Sequence, residues 1–231
     1  MYVNAMAGTA LQVDLYVYPA VVQLHSKTED QIRSEGENIL NNIGTSTIFR
    51  SFHVVPNLLE HYNIGYSEKQ VKRIDENFYD YSLGTKFRPN VPIPNPPGQL
   101  RYLIEKYFSG DVSGDIGEAL FVYFLIAEMN LNPYLIGHTR PMKRKNLLTP
   151  DFVVWDFSRK LTTILQSGKY QLPILGEVKA FTGEMDSTRI AHGLAQLQMP
   201  IANSSLEGIL FLVARNQVRQ GYDIYTVRVR A

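Results

Sequence analysis

Asp151, Glu177 and Lys179 are side chains whose types and spacing suit chemistry on a charged substrate. Asp151 stands at the mouth of the apolar stretch "DFVVWDF", and Glu177 and Lys179 lie two residues apart in "PILGEVKAF". In a strand, residues i and i+2 share a face. Glu177 and Lys179 therefore project together, while Gly176, Val178 and Ala180 face the other way. Two opposite charges on one face of an apolar strand are costly unless they pair or meet a ligand. If the two strands are neighbours, Asp151 lies beside Glu177, and carboxylates held close repel each other. A divalent cation between them relieves that repulsion, and hard oxygen ligands with incomplete protein coordination suit magnesium.

The elements that must position these groups can be read from periodicity and breakers. Residues 28–44 and 67–84 are expected to be helices, with Thr28 and Ser67 as N-caps and Gly44 and Gly84 where C-caps belong. Residues 9–24 are β-branched enough for a strand, although Pro19 leaves that assignment open. The stretch "RPNVPIPNPPGQ" at 88–99 carries five prolines and reads as a linker. It divides a mainly helical N-terminal segment, 1–87, from a core at 100–231. In that core, 113–130 is a helix apolar nearly all round, and 131–138 is a candidate strand. A strand from Asp151 follows, then an ambiguous insertion at 158–171, and then a strand over 172–181. A helix over 186–198, stopped by Pro200, and strands over 207–215 and 222–230 complete the order. The sequence α-β-β-β-α-β-β predicts an α/β fold, a mixed sheet flanked by helices.

Composition narrows the class. The chain has 231 residues, 45% hydrophobic and 19% charged, with a net charge of +1, so no global field announces a nucleic-acid partner. The absence of cysteine excludes disulfides and thiolate zinc sites. The longest apolar run, 119–127, is too short to span a bilayer, and no lysine or arginine precedes Lys27, as a secretory leader would require. A soluble cytoplasmic protein with no membrane partner is the expectation.

Pro150-Asp151 followed by Glu177-Val178-Lys179 resembles the PD-(D/E)XK nuclease superfamily, which includes type II restriction endonucleases and Holliday-junction resolvases. The resemblance covers roughly residues 110–231. It implies a restriction-endonuclease-like fold and a magnesium-dependent endonuclease acting on double-stranded DNA, with manganese able to substitute. It further implies metal ligation by Asp151, Glu177 and the Val178 carbonyl, and a water-orienting role for Lys179. Glu118, on the helix before the sheet, matches the place of an additional family acid. Arg189, His192 and Gln196, spaced to share a helix face, match polar residues that the following helix offers to the site. Gln196 is followed by Pro200 rather than by the tyrosine of one subfamily, and the 25 residues between Asp151 and Glu177 include an insertion. A restriction enzyme of a restriction–modification system, acting as a homodimer, is the leading expectation, with residues 1–87 serving recognition or dimerisation. A resolvase, a repair or mobile-element nuclease, an RNA-cleaving toxin and a non-catalytic nucleic-acid-binding protein are the alternatives.

Each residue also has a plainer role open to it. Glu177 and Lys179 form a surface pair if their strand is exposed. Asp151 after Pro150 suits a turn. Asp115 and Glu118 have capping-box spacing. Arg140, Lys143, Arg144 and Lys145 make a basic loop before Asp151 that is either solvated or a grip on substrate phosphates. Arg215, Arg219, Arg228 and Arg230 add further positive charge.

Overall fold

The computed structural model of the protein describes residues 10–54, 110–138, 150–216, 218–219 and 221–231. These residues form an α/β fold around a seven-stranded mixed sheet. Strand β1 (Leu11–Gln23) leads to helix α1 (Glu29–Asn42) and strand β2 (Thr47–Val54). Helix α2 (Gly110–Tyr123) continues into a π-helical turn, Phe124–Glu128, and then come β3 (Ile136–His138) and β4 (Phe152–Val154). A four-residue helix α3 (Thr162–Leu165), β5 (Ile174–Phe181), α4 (Ser187–Ser204), β6 (Glu207–Asn216) and β7 (Gly221–Arg230) complete the order. The strands lie in the order β2-β1-β7-β6-β5-β4-β3.

The sheet's centre follows from its connections. β4 runs antiparallel to both of its neighbours, β3 and β5. Helix α4 then crosses over to bring β6 parallel to β5, as a parallel pair requires. β7 returns antiparallel to β6 and pairs parallel with β1 on its other side. Over residues 11–54, β1 and β2 hold more of the chain than α1, and both extend the same sheet. Pro19 is tolerated in β1 because it sits where the β1–β7 register breaks, between Val17 and Val21, so the ladder needs no amide there. The expected helix over 67–84 and the linker over 88–99 lie outside the described residues.

Each sheet face buries one apolar layer. On one face α2 and its π-helical turn pack Leu120, Phe121 and Phe124 against Phe152, Val178, Ala180 and Phe211. Gly117 brings α2 in close: a Cβ there would stand 2.9 Å from both the Val178 and Ala180 side chains. On the other face α1 and α4 pack together, with Ile32 and Ile39 joining Ile190, Leu194, Leu197 and Ile201 over Leu210 and Leu212. Thr28 caps α1 in a capping box, receiving the Gln31 amide at 3.3 Å while its own amide donates to the Gln31 side chain at 2.8 Å. Asp186 caps α4, accepting from the Thr188 amide at 2.9 Å.

Three sequence expectations change in the structure. α4 runs past Pro200 to Ser204 because buried Ile201 keeps its apolar stripe on the sheet, which offsets the bond that proline withholds. Gly44 lies inside a short 3-10 turn, Ile43–Thr45, rather than capping α1. The strand expected over 151–157 ends at Val154, because Asp156 turns the chain into the insertion. The Asp156 carboxylate is fully buried. It accepts from Ser158 Oγ and the Leu161 amide, both at 2.7 Å, and from the Tyr170 hydroxyl. Burial works to raise its pKa, but these hydrogen bonds outweigh burial and hold the group below the ordinary range. The insertion is thus folded around an anion.

Candidate functional site

The β4–β5 pairing decides the geometry. Phe152 stands opposite Gly176, and Val153 opposite Leu175. Continued by one residue, the register sets Asp151 across from Glu177. The two are locked reciprocally: the Asp151 amide donates to Glu177 Oε2 at 3.0 Å, and the Val178 amide donates to Asp151 Oδ2 at 2.9 Å. Val153 and Leu175 belong to the α1/α4 layer, so strand alternation points Asp151, Glu177 and Lys179 toward α4 as well. Val178 and Ala180 face α2.

Lys179 closes the arrangement. Its ammonium donates to Glu177 Oε1 and, at 2.7 Å, to Gln196 Oε1 on α4. The Glu177 side chain is completely buried and Lys179 retains 16% exposure, so the ion pair sits at the edge of the core rather than on an open surface. Burial raises the Glu177 pKa well above the ordinary carboxylate value, and the charge of Asp151 raises it further. Lys179 and the Asp151 amide act in the opposite direction without restoring it. Asp151 and Glu177 thus stand side by side on neighbouring strands.

Helix α4 supplies one wall. Gly193 lets it approach: a Cβ there would stand 2.6 Å from Leu210 Cδ1 and 3.2 Å from Lys179 Cγ. A glycine in mid-helix signals such an approach, and Gly193 is a site residue that the nuclease motif does not include. One turn before Gln196, His192 is exposed. Partial desolvation of its ring, then the charges of Lys179 and Arg189, lower its pKa, which favours the neutral imidazole. Arg189 lays its guanidinium over the Phe181 ring, 5.0 Å from the centroid, a cation–π contact. Arg189, His192 and Gln196 thus stand along one side of α4.

Known proteins offer no match to this chain: no family model, no curated protein and no solved structure resembles it significantly.

Glu118 is half-buried on α2, beside Gly117, on the helix that packs the opposite sheet face from Lys179. α2 starts by Gly110, so positions 115–118 lie within the helix and not at its N-terminus, where a capping box would form. Arg140, Lys143, Arg144 and Lys145 lie outside the described residues. Of the C-terminal arginines, Arg215 is exposed, while Arg219 pairs with Asp14 and Asp223, and Arg230 with Glu207. Arg228 is buried, donating to the carbonyls of Leu165 and Pro19. These last three arginines brace the fold.

The residues present fit a magnesium ion in kind. Asp151 and Glu177 are two hard oxygen donors whose mutual repulsion a cation would relieve, and the Val178 peptide lies next to both, bonded to Asp151 through its amide and following Glu177 in the chain. Among the described residues, no group of three or more His, Asp or Glu side chains forms a metal-holding cluster. A cation held by this pair would retain several waters, as magnesium usually does.

Proposed function

We propose that this protein is a magnesium-dependent endonuclease that hydrolyses phosphodiester bonds of double-stranded DNA, a type II restriction-type enzyme acting as a homodimer on a restriction-endonuclease-like fold. The observation that carries the reading is the cross-strand juxtaposition of Asp151 with buried Glu177, with the Lys179 ammonium on the same face. Such unfavourable charge concentrated in one place is characteristic of functional sites. The order β3-β4-β5, crossover helix, β6 supports the same reading, because the acids fall on adjacent antiparallel strands and the polar helix follows them.

Asp151, Glu177 and the Val178 carbonyl would hold the ion, which when bound supplies charge to the scissile phosphate and a lowered pKa to a coordinated water. Lys179 offers a compact positive charge where negative charge develops on the attacked phosphate. Arg189 and neutral His192 offer donors to the flanking phosphate, which positions the strand without reading its sequence.

The Lys179–Glu177 ion pair also favours a second reading, a scaffold in which the lysine only neutralises a buried acid. Cleavage of supercoiled plasmid with and without magnesium separates the two. Wild type should nick and linearise the plasmid only with the ion, while Asp151→Asn and Glu177→Gln lose most cleavage yet keep the fold. Equal cutting by wild type and both variants in magnesium would move the chemistry elsewhere. Discrete bands from long mixed-sequence DNA would mark site-specific cleavage, and a smear would remove the restriction-type assignment.

A further inference from the structure

We infer that Lys179 is the site's resident counter-cation, which a divalent ion must displace from Glu177, and that Gln196 is the positioning residue that keeps the ammonium in the site when that happens. The inference rests on the metal-dependent reading above and concerns how the site is loaded.

Charge and contact lead to it. Around the buried Glu177 carboxylate, the groups acting on its charge are Asp151, which repels, and Lys179 and the Asp151 amide, which stabilise. One Glu177 oxygen is taken by the Asp151 amide and the other by Lys179. An ion approaching Glu177 therefore meets an acid whose Oε1 already holds an ammonium. That ammonium is held at two points, and its second acceptor, Gln196 Oε1 at 2.7 Å, belongs to a different element, α4. The lysine stem also runs close beneath α4: a Cβ added at Gly193 would stand 3.2 Å from Lys179 Cγ and 3.4 Å from Lys179 Cε. When Glu177 turns to the cation, Lys179 retains Gln196. It stays beside the site as a positive charge instead of swinging into solvent. Gln196 is suited to this as a neutral acceptor, because a carboxylate there would hold the ammonium too firmly and compete for the divalent ion itself.

The test reads metal affinity, independently of cleavage. Manganese alone is titrated into the full-length protein, and the free ion is followed by its electron paramagnetic resonance signal. Wild type should bind one ion that Asp151→Asn does not. Lys179→Met removes the competing charge and should tighten binding about tenfold or more, the scale for removing a nearby unit charge at an effective dielectric of about 20. Lys179→Gln, which keeps a donor toward Glu177 and guards against a misfolded Met variant, should tighten binding in the same direction. Gln196→Leu leaves the ammonium wholly on Glu177 and should weaken binding about threefold to tenfold, the scale of one hydrogen bond. That weakening should vanish when Lys179→Met is also present. Unchanged or weaker binding in both folded Lys179 variants, or a Gln196→Leu effect that persists without Lys179, overturns the inference while leaving a metal site in place. Absence of saturable binding in wild type and in every variant instead removes the metal-dependent reading itself.

Discussion

Gly193→Ala tests whether α4 and Lys179 are packed as tightly as the geometry states. The new Cβ would lie 2.6 Å from Leu210 Cδ1, 3.2 Å from Lys179 Cγ and 3.4 Å from Lys179 Cε. The first distance is far inside van der Waals contact, so Leu210 must leave its position in a core where it is fully buried. Alanine gains about 1 kcal/mol over glycine in a helix interior. Overpacking a filled core costs about 1–3 kcal/mol. The balance is a net destabilisation of about 1 kcal/mol, which for a protein of this size lowers Tm by about 2–4 °C. Leu210→Val, which shortens the obstructing side chain, should recover most of that stability when combined with Gly193→Ala, giving a favourable coupling of about 1 kcal/mol in a thermal-denaturation cycle. Lys179 should shift with the helix, so single-turnover plasmid cleavage should fall about tenfold or more, as small misplacements of reacting groups do. A Tm raised by the full helix-propensity gain, with cleavage unaltered, would show that α4 stands further from β5 and β6 than described.

Other perturbations address separate parts of the molecule. Lys179→Ala should lower single-turnover cleavage by about two orders of magnitude, the effect of losing one preorganised charge, and Lys179→Arg should not restore it, because a planar guanidinium cannot stand in for a compact ammonium; both are read in plasmid-nicking assays. Asp156→Asn should cost about 1–3 kcal/mol at neutral pH by impairing a buried acceptor. Because the folded-state pKa of Asp156 is depressed, its contribution is complete above the unfolded pKa of about 3.9 and is lost as pH falls through the folded value, so the gap from wild type should narrow in acid denaturation. Neutralising Arg140, Lys143, Arg144 and Lys145 together should weaken binding to all DNA sequences alike. It should also flatten the salt dependence of binding by up to about one log–log unit for each phosphate the loop neutralises, measured by fluorescence anisotropy.

What was legible in the sequence was whatever depends on short range. Period-two alternation put Glu177 and Lys179 on one face and Val178 on the other, and the two apolar layers match that division. The order of elements after residue 110, apart from α3 in the ambiguous insertion, was readable for the same reason, since apolar runs bounded by proline, glycine and polar residues mark strands and helices locally. Helical spacing groups Gln196 with Arg189 and His192, but its bond to Lys179 depends on how α4 sits on the sheet, which no spacing encodes. The parallel pairing of β1 with β7 was hidden because the partners lie at opposite ends of the described chain. Pro19 and Pro200 misled for one reason: local rules treat proline as a stop, whereas here a register break and a buried helix face accommodate it. Asp156 looked like one more residue of an apolar strand, because the partners that make its burial tolerable arrive 2 to 14 residues later.

The central position of β7 has a consequence for how the protein comes into being. β7 joins β1 to β6, so without it the sheet is two pieces, β2-β1 and β6-β5-β4-β3. Its pairing with β1 spans roughly two hundred residues of chain, the kind of contact that slows folding most. During synthesis β1 must therefore wait, with its inner edge open, until β7 has been made. Open edges invite wrong partners, and the packing of α1 on α4 over one face is what can hold β1 near its place before β7 arrives. A nascent chain halted before β7 would carry Asp151, Glu177 and Lys179 on a half-sheet with an unpaired β6 edge, and would be a substrate for chaperones and proteases rather than a smaller working protein.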